Sequence, residues 1–428
     1  MDVQLSFFPE LEGTRLATRH AGNPEHNRVQ GADAIVHDWY RFILAYPPHL
    51  VRTYLERFAV MPDHTVLDPF SGTGTTIVEC KKRSISGIGS DANPIAVLAS
   101  RTKSDWIANP DSLRLRASRI AERAGETDQS ILRTLTPDAE ALVSRGAISP
   151  LPLHKTLNLL DAIREEPNTP PHLLLALAKA LVSSISNLWF APGVTVGPAK
   201  ADAPVIESWL NNVNTIAADL ELMQPNTVTT TVHHADARTL CDVLTPGSID
   251  AVITSPPYPN ESDYSRATRL ESVLLGYLNN RLDAQTLKQT LLCSSSRNVY
   301  QGDTDDAWVA GNDRVQRIAS EIEQKRQDLG KTDGFSRLYA RAVKLYFGGM
   351  RRHLRSLKPA LKDGASLAYV VGDQASFLQV HIHTGEILAE IAESEGYTIA
   401  GVDLFRTRQA TKTGKQMREE VVLLRWTP

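Results

Sequence analysis

Two stretches of the chain crowd apolar residues into short runs that stop at Gly, Pro or Asp, whereas most of the remainder repeats its apolar positions at helical spacing. Short continuous runs are the signature of parallel strands covered on both faces. The first stretch predicts a strand over residues 64–67 closed by Asp68-Pro69, then the turn Phe70-Ser71-Gly72-Thr73-Gly74-Thr75-Thr76 and a helix over 77–82. A second strand over 85–90 ends at Asp91, and Asn93-Pro94 opens another helix, with proline in the first turn where its missing N–H costs nothing. Strand, glycine turn, helix, strand, acid is the first half of a nucleotide-binding α/β sheet.

From about residue 105 to 227 the period becomes helical, with predicted helices over 153–163, 172–190 and 205–223 separated by Pro150, Pro152, Pro167, Pro170, Pro171 and the Gly/Pro-rich run 191–198. Sheet-like runs resume over 227–233, followed by Ala235-Asp236-Ala237-Arg238, and over 249–254. A second insertion, 271–330, is rich in Asp, Gln, Ser and Arg. A long amphipathic helix over 335–357 leads to a strand over 365–371, and a helix over 385–395 precedes strands over 397–404 and 420–426 that pair as a hairpin.

Composition narrows the setting. The 428 residues are 42% hydrophobic and 22% charged, which excludes disorder and collagen-like order. Cys80, Cys241 and Cys293 have no metal or disulfide spacing, so a reducing cytoplasm is expected. The start of the chain lacks the basic and apolar regions of a secretion signal, and the most apolar stretch, 172–190, carries too many polar residues to span a membrane. A net charge of -3 requires any polyanion to be met by local basic patches.

Two motifs carry chemistry. Gly72 and Gly74, between a strand and a helix start, let a ligand approach the backbone and its free N–H groups. Ile77 stands where a dinucleotide fingerprint wants a third glycine, and the acids at Asp68 and Asp91 end successive strands, where Asp91 can accept from ribose hydroxyls. The bland alternative is a tight turn with acids capping helices. The second motif, Thr254-Ser255-Pro256-Pro257-Tyr258, follows an apolar strand and so sits at the carboxyl edge of the sheet. Consecutive prolines bias the turn toward carbonyl acceptors, and Tyr258 offers a stacking face. Acceptors beside a ring suit a planar exocyclic amine, although a rigid loop with an exposed tyrosine would read the same.

Together these motifs resemble the S-adenosylmethionine-dependent DNA amino-methyltransferases, which act on cytosine N4 or adenine N6. The resemblance extends to Gly89-Ser90-Asp91-Ala92-Asn93-Pro94, to Ala235-Asp236-Ala237-Arg238, to Tyr46-Pro47-Pro48, and to the strand ending at Val371-Gly372-Asp373. It implies an α/β, Rossmann-like class I methyltransferase sheet with a C-terminal antiparallel hairpin and two largely helical insertions. The segments are 1–104 and 228–270 for the first and second catalytic parts, 105–227 and 271–334 for the insertions, either able to read the target, and 335–428 for the C-terminal catalytic part. It further implies S-adenosylmethionine held by Tyr46, Asp68, Pro69, Phe70, Ser71, Gly72, Gly74, Thr75, Asp91, Asn93, Asp236, Ala237 and Thr254. Ser255, Pro256, Pro257 and Tyr258 would hold the reacting base, with Asn260, Asp263, Tyr264 and Arg266 lining its entrance.

Serine before Pro-Pro-Tyr is the form usual in the cytosine N4 branch, which makes N4 methylation of a flipped-out cytosine in duplex DNA the expected reaction. Adenine N6 methylation, an RNA amine methyltransferase and a non-catalytic subunit of the same fold are the alternatives. A cognate restriction endonuclease and a monomer or homodimer are compatible with the sequence; a membrane is not expected. No cysteine follows proline, so cytosine C5 chemistry is set aside. His233-His234 and His381-x-His383 lack further ligands nearby in sequence, and no metal is expected. Basic clusters at Arg351, Arg352, His353, Arg355 and Lys358, and at Arg406, Arg408, Lys412, Lys415 and Arg418, are candidate phosphate contacts. Arg314, Arg317, Lys325 and Arg326 share their helix with acids and suit a salt-bridged surface.

Overall fold

The computed structural model describes residues 33–42, 45–126, 130–190, 193–223, 226–259, 263–409 and 416–428. Asn260, Lys412 and Lys415 lie outside them. The described strands are β1 (Thr65–Asp68), β2 (Ser86–Asp91), β3 (Leu188–Trp189), β4 (Thr195–Val196), β5 (Thr230–His234), β6 (Ile249–Thr254), β7 (Leu361–Gly372), β8 (Thr398–Gln409) and β9 (Gln416–Arg425). Seven of them form one sheet in the order β5-β2-β1-β6-β7-β9-β8, and β3 with β4 makes a small separate ribbon. β1 runs parallel to β2 and β6, β2 to β5, and β6 to β7, whereas β9 is antiparallel to both β7 and β8. This is the expected α/β, Rossmann-like sheet with its terminal hairpin.

The chain builds outward from β1 through β2 to β5, then crosses back to place β6 on the other side of β1. The strand order therefore reverses between β1 and β6, and in open α/β sheets the crevice outside such a reversal is where ligands bind. Asp68, Asp91 and Thr254 all end strands along that edge. Val66, Leu67, Val252 and Ile253 are fully buried because helices cover both faces, which is why these strands are written as unbroken apolar runs.

Helices Pro110–Gly125, Pro150–Arg164, Pro171–Ala180 and Val205–Leu222 share one core, with Ile120, Leu159, Leu177 and Trp209 packed together with Val78 and Ile95 of the helices that flank β2. The predicted helix over 172–190 instead stops at Ala180, passes through a wide π turn (Leu181–Ile185) and enters β3. The ammonium of Lys200 explains the break: it donates to the carbonyls of Ser184 and Ser186, both at 2.6 Å, which a continuing helix would need for itself. The predicted helix over 335–357 begins four residues later, as Tyr339–Leu357, after a 3-10 turn in which the Asp333 carboxylate accepts from the Ser336 amide at 2.9 Å.

Candidate active site

The glycine turn is held by backbone contacts before any ligand is considered. The Ser71 amide donates to the Ser90 carbonyl of β2 at 2.9 Å, and the Gly74 amide to the Ser71 carbonyl at 2.8 Å. Gly72 and Gly74 take φ values of +49° and +87°, in the left-handed region that disfavours a side chain. At Gly74 a methyl would also stand 2.9 Å from the Cα of Ser100, so this glycine admits the neighbouring helix Pro94–Lys103. Helix Thr75–Lys82 starts without a side-chain cap, leaving its first-turn amides facing the crevice end of the sheet.

One cavity occupies the crevice outside the strand reversal. Of the residues predicted to hold the cofactor, Tyr46, Pro69, Phe70, Ser71, Gly72, Thr75, Asp91, Asn93 and Ala237 line it, and Ser255, Pro256, Pro257, Tyr258 and Tyr264 line it too. Two motifs far apart in sequence thus face one space. Asp68 is fully buried behind the wall: Thr254 Oγ1 donates to its Oδ1 at 2.6 Å, the Phe70 amide to the same oxygen at 3.2 Å, and Tyr46 Oη to its Oδ2 at 2.8 Å. Burial pushes the Asp68 carboxyl up, and the hydroxyls of Thr254, Tyr46 and Thr76 pull it back. The same Tyr46 hydroxyl meets Thr76 Oγ1, which in turn donates to the Ile253 carbonyl at 3.1 Å. Asp68 therefore ties β1, the cradle helix and β6 together.

Asp91 reaches the cavity with its carboxylate already accepting from the Gly72 amide at 2.9 Å and the Asn93 amide at 2.8 Å. Burial pushes it up to about 6, against those two amides. Asn93 Oδ1 caps its helix at the Ile95 amide and Nδ2 donates to Thr268 Oγ1 at 2.9 Å, bracing the segment that follows the Pro-Pro-Tyr loop. Asp236 lies off the cavity wall, in a bidentate pair with Arg238, whose guanidinium also donates to buried Asp305 at 2.7 Å. Asp263 caps the short helix Tyr264–Ala267, and Arg266 is exposed beyond the rim. Ser255 Oγ donates to the Val370 carbonyl at 3.2 Å, and the Tyr258 ring lies so close to Gly372 that any side chain there would collide with it.

Sequence reasoning missed several wall residues. Thr73 was within reach as a member of the turn, but Phe42, Ser294, Asn298, Phe405 and Glu419 carry no motif and arrive from four other stretches. His353, expected in a basic surface patch, is fully buried beneath the wall: its Nδ1 donates to the Ala237 carbonyl at 2.8 Å, so Nε2 accepts from Tyr369 Oη at 2.7 Å. Burial lowers it to about 4, keeping the ring neutral. The rest of that cluster stays half-buried or exposed, but its charges are already paired. Arg351, Arg355 and Lys358 all pair with the buried carboxylate of Glu395, and Arg352 with Asp305, because a buried acid demands cations. Arg406 likewise pairs with Glu419. Arg314 pairs with Glu386 and Glu390, Lys325 with Glu321 and Arg326 with Glu323.

The residues present fit S-adenosylmethionine. Ser71 Oγ and Thr73 Oγ1 are buried on the cavity wall with no hydrogen-bond partner among the described residues, as hydroxyls awaiting a polar ligand are. Asp91 offers an acceptor edge beside them. Among the described residues no helix is long and apolar enough to cross a membrane.

No family model matches the chain. It is similar to the type II methyltransferase M.BsoBI of Geobacillus stearothermophilus, at 23% identity over 469 aligned residues covering 99% of this chain and 90% of that protein. It is also similar to the type II methyltransferase M.AvaI of Nostoc sp. and of Anabaena variabilis, at 22% identity over 84% of this chain and 79% of each relative. Among solved structures, TrmN from Thermus thermophilus aligns at 11% identity and a TM-score of 0.30 over 88% of this chain and about half (48%) of its own. The rRNA methyltransferase AviRa from Streptomyces viridochromogenes aligns at 13% identity and 0.31 over 95% and 96%, and at such scores neither likeness decides anything. The sheet order, the cavity at its reversal and a likeness that runs almost end to end support an S-adenosylmethionine-dependent methyltransferase similar to the type II methyltransferases.

Proposed function

We propose that the chain methylates the N4 amine of a cytosine flipped out of duplex DNA. The observation that carries this reading is the hydrogen bond from Thr254 to Asp68, which locks the Pro-Pro-Tyr loop and the glycine cradle onto the walls of one cavity. A bound S-adenosylmethionine supplies a methyl group already activated by its sulfonium, so the chain's task is positioning. Ser71, Gly72, Thr73 and Thr75 receive the polar end of the cofactor, Asp91 accepts from its ribose hydroxyls, and Phe70 and Ala237 bound the space for its adenine. Asp68, Gly74, Thr254 and Asp236 act from behind the wall.

On the other side, Tyr258 stacks the base and the Pro256 carbonyl accepts from the exocyclic amine. Ser255, whose hydroxyl now rests on Val370, turns its lone pairs to the same amine and helps localise the nitrogen electrons for in-line attack. The extruded base enters past Tyr264. Serine at position 255 supports cytosine N4 over adenine N6, and the kinship with type II methyltransferases supports DNA as substrate and a paired endonuclease as companion. Incubation with labelled S-adenosylmethionine and mixed-sequence duplex, followed by nucleoside mass analysis, should yield N4-methylcytosine. N6-methyladenine, or no methylated base in DNA, would refute the cytosine assignment.

A further inference from the structure

Beside the wall that carries Tyr258, the chain gathers three side chains that the reaction above does not use. Asp373 follows β7 directly, its amide donating to the Arg418 carbonyl at 2.8 Å. Its side chain is 2% exposed, and among the described residues neither carboxylate oxygen has a short hydrogen bond. The groups that approach it are imidazoles: His381 Nε2 stands 3.3 Å and His383 Nδ1 3.5 Å from the same oxygen, Oδ2. The two rings lie side by side, with centroids 4.1 Å apart.

We propose that Asp373, His381 and His383 form a site for one divalent transition-metal cation of the zinc class. Nitrogen and oxygen ligands about 2.0 to 2.1 Å from a tetrahedral ion stand about 3.4 Å from one another, which is the spacing the carboxylate keeps from both imidazoles. All three ligand atoms fall within 4.8 Å of each other. Two imidazoles and one carboxylate favour zinc and its neighbours over magnesium or calcium, which prefer oxygen alone. Glu386 and Glu420 lie within electrostatic reach of the cluster and deepen its attraction for a cation. The fourth position falls to water.

The ion would be structural. The segment after Asp373 returns through a single bridge between Gln374 and Ile382, with Leu378 and Gln379 both at positive φ, so little regular structure fastens it. Fixing His381 and His383 to Asp373 would anchor this segment one residue from Gly372, the backbone surface on which the Tyr258 ring rests.

The test uses the full chain without an affinity tag, freed of metal by chelation and titrated with cobalt(II). The expected result is one cobalt per chain with the intense visible absorption of tetrahedral coordination, and an affinity at least about tenfold weaker in His381→Ala and in His383→Ala. The metal should raise the unfolding temperature of the parent chain and not of these variants. A weak octahedral spectrum, or the same titration in the His381→Ala/His383→Ala double variant, would overturn the site. Should the variants fail to fold, X-ray absorption on the zinc-loaded parent chain decides the matter: two imidazoles in the first shell support it, and a sulfur-containing or imidazole-free shell overturns it.

Discussion

Gly72 and Gly74 look interchangeable in sequence, yet alanine at the two positions should fail in different ways. At Gly74, the left-handed backbone costs a side chain about 1 to 2 kcal/mol. The new methyl would also stand 2.8 Å from Ser100 Oγ and 2.9 Å from Ser100 Cα, well inside contact distance. Overpacking of that kind adds about 1 to 3 kcal/mol, so Gly74→Ala should lose about 2 to 5 kcal/mol of stability. At Gly72 only the backbone cost applies, because the methyl meets nothing nearer than Phe42 at 3.9 Å and the Phe70 carbonyl at 4.0 Å. That methyl enters the cavity region, so Gly72→Ala should weaken S-adenosylmethionine binding more than it weakens the fold. Chemical denaturation gives the stabilities and calorimetric titration the affinities. A further variant tests the cause: since the Cα of Ser100 is itself in the way, Ser100→Gly should not rescue Gly74→Ala. Equal stability losses at the two glycines, or recovery of more than about half the loss by Ser100→Gly, would refute the packing argument.

Asp91 should make cofactor binding pH-dependent: with its carboxyl near 6, affinity measured by titration should fall about tenfold between pH 7 and pH 5, and Asp91→Asn should flatten that profile. Because its folded value lies above the unfolded one, the ionised carboxylate destabilises the ligand-free fold, so acidification through that window should slightly stabilise the empty protein while it releases the ligand. Glu395 behaves oppositely. Burial pushes it up, but Arg355, Arg351 and Lys358 together hold it down to about 2, so its contribution is present above the ordinary glutamate range and is lost as pH falls toward 2. Glu395→Ala should lower the denaturation midpoint by a loss of about 1.5 to 3 kcal/mol, since the cations it strands are half-buried or exposed and regain solvent. Arg238→Met should cost about 3 to 5 kcal/mol in the same assay, since it leaves Asp305 buried with only Arg352 at 3.3 Å.

What could be read along the chain was what is local. The turn from Phe70 to Thr76 announces itself because strand end, glycines and helix start are contiguous, and the π turn at Leu181–Ile185 escaped notice because Lys200, which draws the carbonyls away, sits well downstream. The sequence placed the Pro-Pro-Tyr loop at a strand's carboxyl edge, but the strand order is set in space, and the Thr254 to Asp68 bond that results spans 186 positions. Charge misled for the same reason. Arg351, Arg355 and Lys358 read as phosphate contacts until the fold brings up Glu395 to pair them, and His353 sits among arginines in sequence yet under Ala237 in space. The Ser294 and Asn298 part of the cavity wall comes from a polar stretch with neither period nor motif, so nothing in it could have been singled out.

The bond between Thr254 and Asp68 also sets a timetable for the newborn chain. At synthesis rates of roughly 5 to 20 residues per second, roughly 10 to 40 seconds separate the emergence of the carboxylate from that of the hydroxyl that satisfies it. During that interval β1 lacks its β6 neighbour, and the cradle has a wall on one side only. A nascent chain in this state has no closed pocket to offer, so cofactor capture belongs to the completed sheet, and the helical stretch 105–227 must be held in check, by its own core, until the strand that finishes the crevice arrives.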